Sequence, residues 1–181
     1  MTFSEPAQTR PRILIVAGVS GSGKTTVGAM LAGRLHWPFA DADSFQPPAN
    51  IEKMHAGIPL TDADRWPWLE RIADWMDDHI ENGRSAVITC SALRRTYRDM
   101  LLHDRPWAWL VFLAVDRDEL ARRLASRHGH FFPAQLLDSQ LSALEPPQPD
   151  ERAIAIPETG GPADTVESIV SWVNEADAGP A

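Results

Sequence analysis

Apolar residues fall along this chain in two kinds of block, and the two kinds alternate. Residues 13–17, 86–90 and 109–115 are short runs with almost no polar interruption. They read as strands buried on both faces. Residues 38–43 predict a second, shorter strand that ends in acids, and residues 153–156 a fifth strand after a proline-rich connection. Between the runs the spacing becomes helical. Val27, Met30, Leu31 and Leu35 mark one face of a helix over 24–36. Further helices are expected over 50–55, from a Thr61 or Asp62 cap to about Glu81, and over 92–103. Three more run from Asp116 or Asp118 to Arg127, from Pro133 to Leu144 and over 162–176. Strands alternating with helices imply parallel βαβ units, hence an α/β fold with a five-stranded parallel sheet and helices on both faces.

Gly18-Val19-Ser20-Gly21-Ser22-Gly23-Lys24-Thr25 lies between the first strand and the first helix. It fits G-x-x-x-x-G-K-[ST], the phosphate loop, in the strand–loop–helix setting the chemistry requires. Glycines let backbone N–H groups turn inward on phosphate oxygens, and the helix N-terminus adds a partial positive charge. Lys24 then serves the β- and γ-phosphates of ATP, Thr25 is a ligand for Mg²⁺, and Thr26 completes the nucleotide contact. A dinucleotide fingerprint fits worse, because Thr26 stands where it needs a small residue. No Asn-Lys-x-Asp segment reads guanine.

The third strand ends in Cys90-Ser91 rather than in an acid. The acids follow the second strand instead, as Asp41 and Asp43. If the strand continues, their i, i+2 spacing points both the same way. Asp41 is assigned to the metal side, holding Mg²⁺ through water, and Asp43 to the acceptor hydroxyl as a positioning group or base.

Composition narrows the partners. The formal net charge is -8, so no basic field exists to hold nucleic acid. The single Cys90 excludes an internal disulfide and suits a cytoplasmic location, and no early apolar run is long enough to cross a membrane. At 181 residues the chain fits one domain. The expected partition is a loose arm at 1–11 and one kinase domain at 12–177, with a substrate lobe near 44–82 and a lid near 123–135.

The string of motifs resembles the bacterial-type gluconokinases. Beyond the phosphate loop it includes Asp41-x-Asp43-x-Phe45, Asn50-Ile-Glu-Lys-Met54 and Gly57-Ile-Pro-Leu-Thr-Asp-Ala-Asp-Arg65-x-Pro-Trp-Leu69. It continues with Cys90-Ser-Ala-Leu-Arg-Arg-x-Tyr-Arg-Asp99, Arg123-Leu-x-x-Arg127-x-Gly-His-Phe131 and Gln140 with Leu144-Glu-x-Pro147. Arg94 stands where this family often has Lys, and Ala42 where it often has Gly. The resemblance implies an adenylate/shikimate-kinase-like three-layer fold, a mobile lid, ATP with Mg²⁺, D-gluconate as acceptor and a homodimer.

An acidic protein that binds a sugar acid needs local cations. Arg65 and the Arg94/Arg98 pair, spaced i, i+4, are candidates for the carboxylate. Asn50, Lys53, Ser91 and His130 complete the expected substrate set. Arg123 and Arg127 are expected over ATP, with Arg127 neutralising charge on the transferring phosphoryl. Two other functions remain open at this point: another small-metabolite kinase, acting on shikimate or a nucleoside monophosphate, and a regulator that senses ATP without transferring phosphate.

Overall fold

The computed structural model describes residues 10–126, 134–158 and 160–178. Five parallel strands form one sheet: β1 (Ile13–Ala17), β2 (Phe39–Asp41), β3 (Ala86–Thr89), β4 (Ala108–Ala114) and β5 (Ala153–Pro157), in the order β2-β3-β1-β4-β5. β1 sits in the middle, paired through Ile13 to both Ala86 and Ala108. All five of its residues are buried, as its unbroken apolar run requires.

The alternation of side chains along β1 builds two cores. Ile13, Ile15 and Ala17 pack with Ile72, Met76 and Leu101 on one face of the sheet. Leu14 and Val16 pack with Val27, Leu31, Ile169 and Val170 on the other. The first face is covered by α3 (Asp62–Glu81) and α4 (Arg95–Leu102), the second by α1 (Lys24–Leu35) and α7 (Pro162–Ala178). A short helix, α2 (Pro48–His55), precedes α3, and α5 (Arg117–Ser126) and α6 (Ala134–Ala143) lie between β4 and β5. Among the described residues no helix is long and apolar enough to cross a membrane.

Two expected elements differ. The second strand ends at Asp41, and residues Ala42–Phe45 form a 3-10 turn. The Asp41 carboxylate accepts from the Asp43 N–H (3.0 Å) and the Trp68 indole donates to the Ala42 carbonyl (2.7 Å), so the chain bends instead of running on. The i, i+2 strand geometry expected for the two acids therefore does not form. The helix expected from Ala92 starts at Arg95, because Ala92 takes a positive φ of 43° and Arg94 is extended. Its cap comes from afar: the Glu145 carboxylate accepts from the Arg95 N–H (2.5 Å).

Candidate active site

The loop from Gly18 to Thr25 leaves the C-terminal end of the central strand, where ligands of open α/β sheets bind. A Cβ at Gly18 would stand 2.7 Å from the Ser22 hydroxyl and 3.2 Å from the Leu113 carbonyl, so only glycine fits there. Gly23 caps α1 at φ 93°, with no side chain closing the helix end and no acid in its first turn. That end is electrostatically prepared for an anion. Lys24 donates to the Val19 carbonyl (3.1 Å), which lays its stem along the loop.

Two cavities flank the loop. One of about 570 Å³ is lined by Lys24, Thr25, Asp41, Asp43, Arg65, Ser91 and Gln140. The other, of about 340 Å³, lies across Gly23 and Thr26 and is walled by Arg123, Glu158 and Thr165. Arg123 is held there by Glu119 (2.8 Å) and by Glu158. The phosphate loop thus lies between two cavities, one carrying the acid pair and Arg65, the other Arg123.

Thr25 donates to Asp41 (2.9 Å), joining the loop to the end of β2. These two hard oxygen groups suit a divalent cation. Among the described residues no cluster of three His, Cys, Asp or Glu exists, so an ion here would complete its shell with phosphate oxygens and water. Asp43 lies across the same cavity. It keeps solvent access, yet the cavity walls withdraw enough water to raise its pKa above the ordinary value; the Asp41 charge adds to this and Lys24 opposes it. Burial pushes the Cys90 thiol up to about 12, consistent with a packing residue.

The carboxylate candidates separate. The Arg65 guanidinium stands over the Tyr97 ring at 5.6 Å and opens onto the larger cavity. Arg94 flanks the same ring at 6.0 Å and approaches Asp62 (3.6 Å), which accepts from the Tyr97 hydroxyl (2.5 Å). Arg98 does not join them. Its side chain is 1% exposed and forks onto the equally buried Glu151 at 2.6 and 2.9 Å, with its remaining N–H groups on the Ala92 and Leu93 carbonyls. The expected Arg94/Arg98 pair is corrected: Arg98 is a buried strut that fixes the loop after β3.

Asn50 and Lys53 are engaged elsewhere in this structure. Asn50 is buried and donates to Gln46 (2.9 Å) and to the Asp64 carbonyl (2.9 Å). Lys53 pairs with the Asp64 carboxylate (2.7 Å), which is drawn down to about 2 by that bond and by Thr61. Asp64 also closes the capping box with Thr61. Both residues therefore brace α2 against the start of α3 and do not line the cavity. Gln46 and Gln140 line the larger cavity, Glu158 the smaller, and Tyr97 lies under Arg65; the sequence assigned none of the four a role. Arg127 and His130 lie outside the described residues.

Removing the Arg98 fork is expected to destabilise the protein strongly. Arg98→Met removes both short bonds to the buried Glu151 and leaves it the Gln148 N–H (2.8 Å) and a longer approach of Arg95 (3.7 Å), at a cost of about 3 kcal/mol. Burial acts to raise the Glu151 pKa, but the bonds from Arg98 and the Gln148 N–H outweigh it, so the net shift is downward. Its stabilising contribution is present at neutral pH and is lost as pH falls through the lowered value. Urea unfolding of Arg98→Met measures the cost. Unchanged stability with weakened acceptor binding would return Arg98 to the substrate site.

A central-strand phosphate loop, an acid pair on one side and a separate base-sized cavity on the other define a P-loop kinase. The shikimate kinase family model matches residues 20–140. The chain is 48% identical over 168 residues to a gluconokinase of Gluconobacter oxydans (strain 621H), covering 93% of this chain and 94% of that protein. A solved gluconokinase from Sinorhizobium meliloti 1021 superposes with a TM-score of 0.83 at 39% identity, covering 93% of this chain and 95% of that one. A sugar kinase from Janibacter sp. HTCC2649 gives 0.84 at 45% identity, covering 93% and 97%. The chain belongs to the gluconokinase family, within the shikimate-kinase-like P-loop kinases.

Proposed function

We propose that this protein transfers the γ-phosphoryl group of ATP to D-gluconate, giving ADP and 6-phospho-D-gluconate, with Mg²⁺ as the cation. The observation that carries this is the acceptor cavity itself. In a chain so close to gluconokinases, it sets a carboxylate acceptor, Asp43, and an arginine with no ion pair among the described residues, Arg65, on one wall system with the phosphate loop.

Loop N–H groups and Lys24 hold the β- and γ-phosphates, and the helix end of α1 faces the charge that moves. Mg²⁺, when bound beside Thr25 and Asp41, neutralises charge shared between the phosphates. Asp43 orients the sugar hydroxyl and takes its proton as the bond to phosphorus forms. Arg65, with Arg94 on the same Tyr97 ring and Ser91 on the cavity wall, meets the sugar-acid carboxylate and sets the acceptor's direction. Arg123 stands on the nucleotide side. Residues 44–82 form the acceptor lobe of this scheme, and α5 carries the base of its lid. A kinase with one buried thiol that uses ATP suits the cytoplasm.

Arg65→Met is expected to raise the KM for gluconate by roughly 10- to 100-fold, the worth of a charge-assisted hydrogen bond, with a smaller effect on kcat. Equal loss with ATP instead of gluconate would place Arg65 on the nucleotide. The function is tested by ADP release over a panel of gluconate, other sugar acids, shikimate and nucleoside monophosphates. Shikimate belongs in it because the matching family model carries that name. Turnover confined to shikimate or a nucleoside monophosphate would replace gluconate, and ATP binding without turnover would make the protein a sensor.

A further inference from the structure

α6 lays a stripe on the phosphate loop. Leu137 is buried against Val19, Leu120 and Leu124, and Leu141 and Leu144 pack beside it. Gln140 belongs to the same face, three residues from Leu137. A polar side chain in such a stripe needs a partner, and Gln140 has two on one residue. Its Oε1 accepts from the Ser20 N–H at 2.7 Å, and its Nε2 donates to the Ser20 hydroxyl at 2.8 Å. The amide cannot be turned over without loss, because the Ser20 N–H can only donate.

We propose that Gln140 is a positioning residue for phosphoryl transfer, acting through Ser20 to hold the front of the phosphate loop in its working shape. This rests on the ATP site assigned above. Three observations carry it. Ser20 and Gln140 both line the acceptor cavity, so the clasp sits where the loop meets the reacting groups and not at its back. The bond takes up the Ser20 N–H, so Gln140 fixes the direction of the loop backbone instead of leaving it to solvent. The anchoring helix is tied down independently, by Leu137 beneath it and by Glu145, which follows it and caps α4. α4 in turn carries Tyr97, over which Arg65 lies. One connected unit therefore touches both the loop and the acceptor wall. Preorganised loops of this kind act mainly on the transition state, where a small misplacement is costly.

The test is steady-state kinetics of Gln140→Met, Ser20→Ala and the double variant, on whichever acceptor the unaltered protein phosphorylates. Methionine keeps the length and the packing of Gln140 while deleting both bonds. Gln140→Met is expected to lower kcat by roughly 10- to 100-fold, with both KM values changed by less than about threefold. Ser20→Ala keeps the N–H bond and should lose less. The double variant should be no slower than Gln140→Met alone, since the two residues act as a unit. Three results would overturn the proposal: a lower KM for ATP with kcat kept, which would make the clasp a brake; losses that multiply in the double variant; or a drop in thermal stability with unchanged kcat. If the unaltered protein phosphorylates shikimate and not gluconate, the acceptor assignment fails while the comparison among variants still decides the clasp.

Discussion

Lys24→Ala is expected to remove phosphoryl transfer while leaving the fold standing. The loss should be roughly 10³-fold or more in kcat, the scale seen when a cation that meets charge developing on a phosphoryl group is deleted. The structure explains why folding should survive. Lys24 is not part of either core, and the bond of its ammonium to the Val19 carbonyl lies within a loop whose turn is set by glycine geometry. A thermal melt close to that of the unaltered protein should accompany the loss. Turnover within a fewfold of normal in a folded Lys24→Ala protein would remove the phosphate loop from the chemistry.

The second large effect is expected at the acid pair, and the two residues should fail differently. Asp41 accepts from the Thr25 hydroxyl and from the Asp43 N–H, so it is turned toward the phosphate loop, where the proposal puts Mg²⁺. Asp41→Asn should raise the Mg²⁺ concentration needed for half-maximal rate, and excess Mg²⁺ should recover much of the activity. Asp43→Asn should lower kcat by roughly 10²- to 10⁴-fold, and no amount of Mg²⁺ should restore it. The raised pKa of Asp43 adds two signatures. The rate should fall on the acid side with an apparent pKa above that of an ordinary aspartate, since the carboxylate is the working form. Stability should move the other way. A carboxyl whose folded pKa lies above its unfolded value binds more protons when folded, so in that window stability rises as pH falls. At neutral pH the charge is a cost, and Asp43→Asn without nucleotide or cation should melt above the unaltered protein. Rescue of Asp43→Asn, but not of Asp41→Asn, by Mg²⁺ would reverse the two roles.

What could be read from the sequence was local. The apolar run of β1, the glycine spacing of the phosphate loop and the Thr61 cap of α3 each depend on residues within a few positions of one another. The turn that separates Asp41 from Asp43 has a local half, the Asp41 carboxylate accepting from the Asp43 N–H, and a tertiary half that periodicity does not carry, the Trp68 indole donating to the Ala42 carbonyl. Arg98 and Glu151 lie 53 positions apart, and Ser20 and Gln140 lie 120 apart, beyond any periodicity. A signal was nevertheless present in both. Tyr97, Arg98, Leu101 and Leu102 form one buried stripe of α4, so Arg98 sits where an apolar residue would be expected. Gln140 stands likewise among Leu137, Leu141 and Leu144. A polar side chain inside an apolar stripe announces a hydrogen-bond partner, though not which one. Lys53 is the converse case: it was expected on the substrate side, and here it pairs with Asp64, 11 positions away.

The most direct measurement is the identity of the phosphorylated product. The protein is incubated with ATP, Mg²⁺ and D-gluconate, and the mixture is resolved by ³¹P NMR and mass spectrometry. Gluconate phosphorylation predicts one 6-phospho-D-gluconate formed for each ADP released, with little ADP formed when gluconate is left out. ADP accompanied only by inorganic phosphate, or no ADP beyond that seen without acceptor, would contradict it.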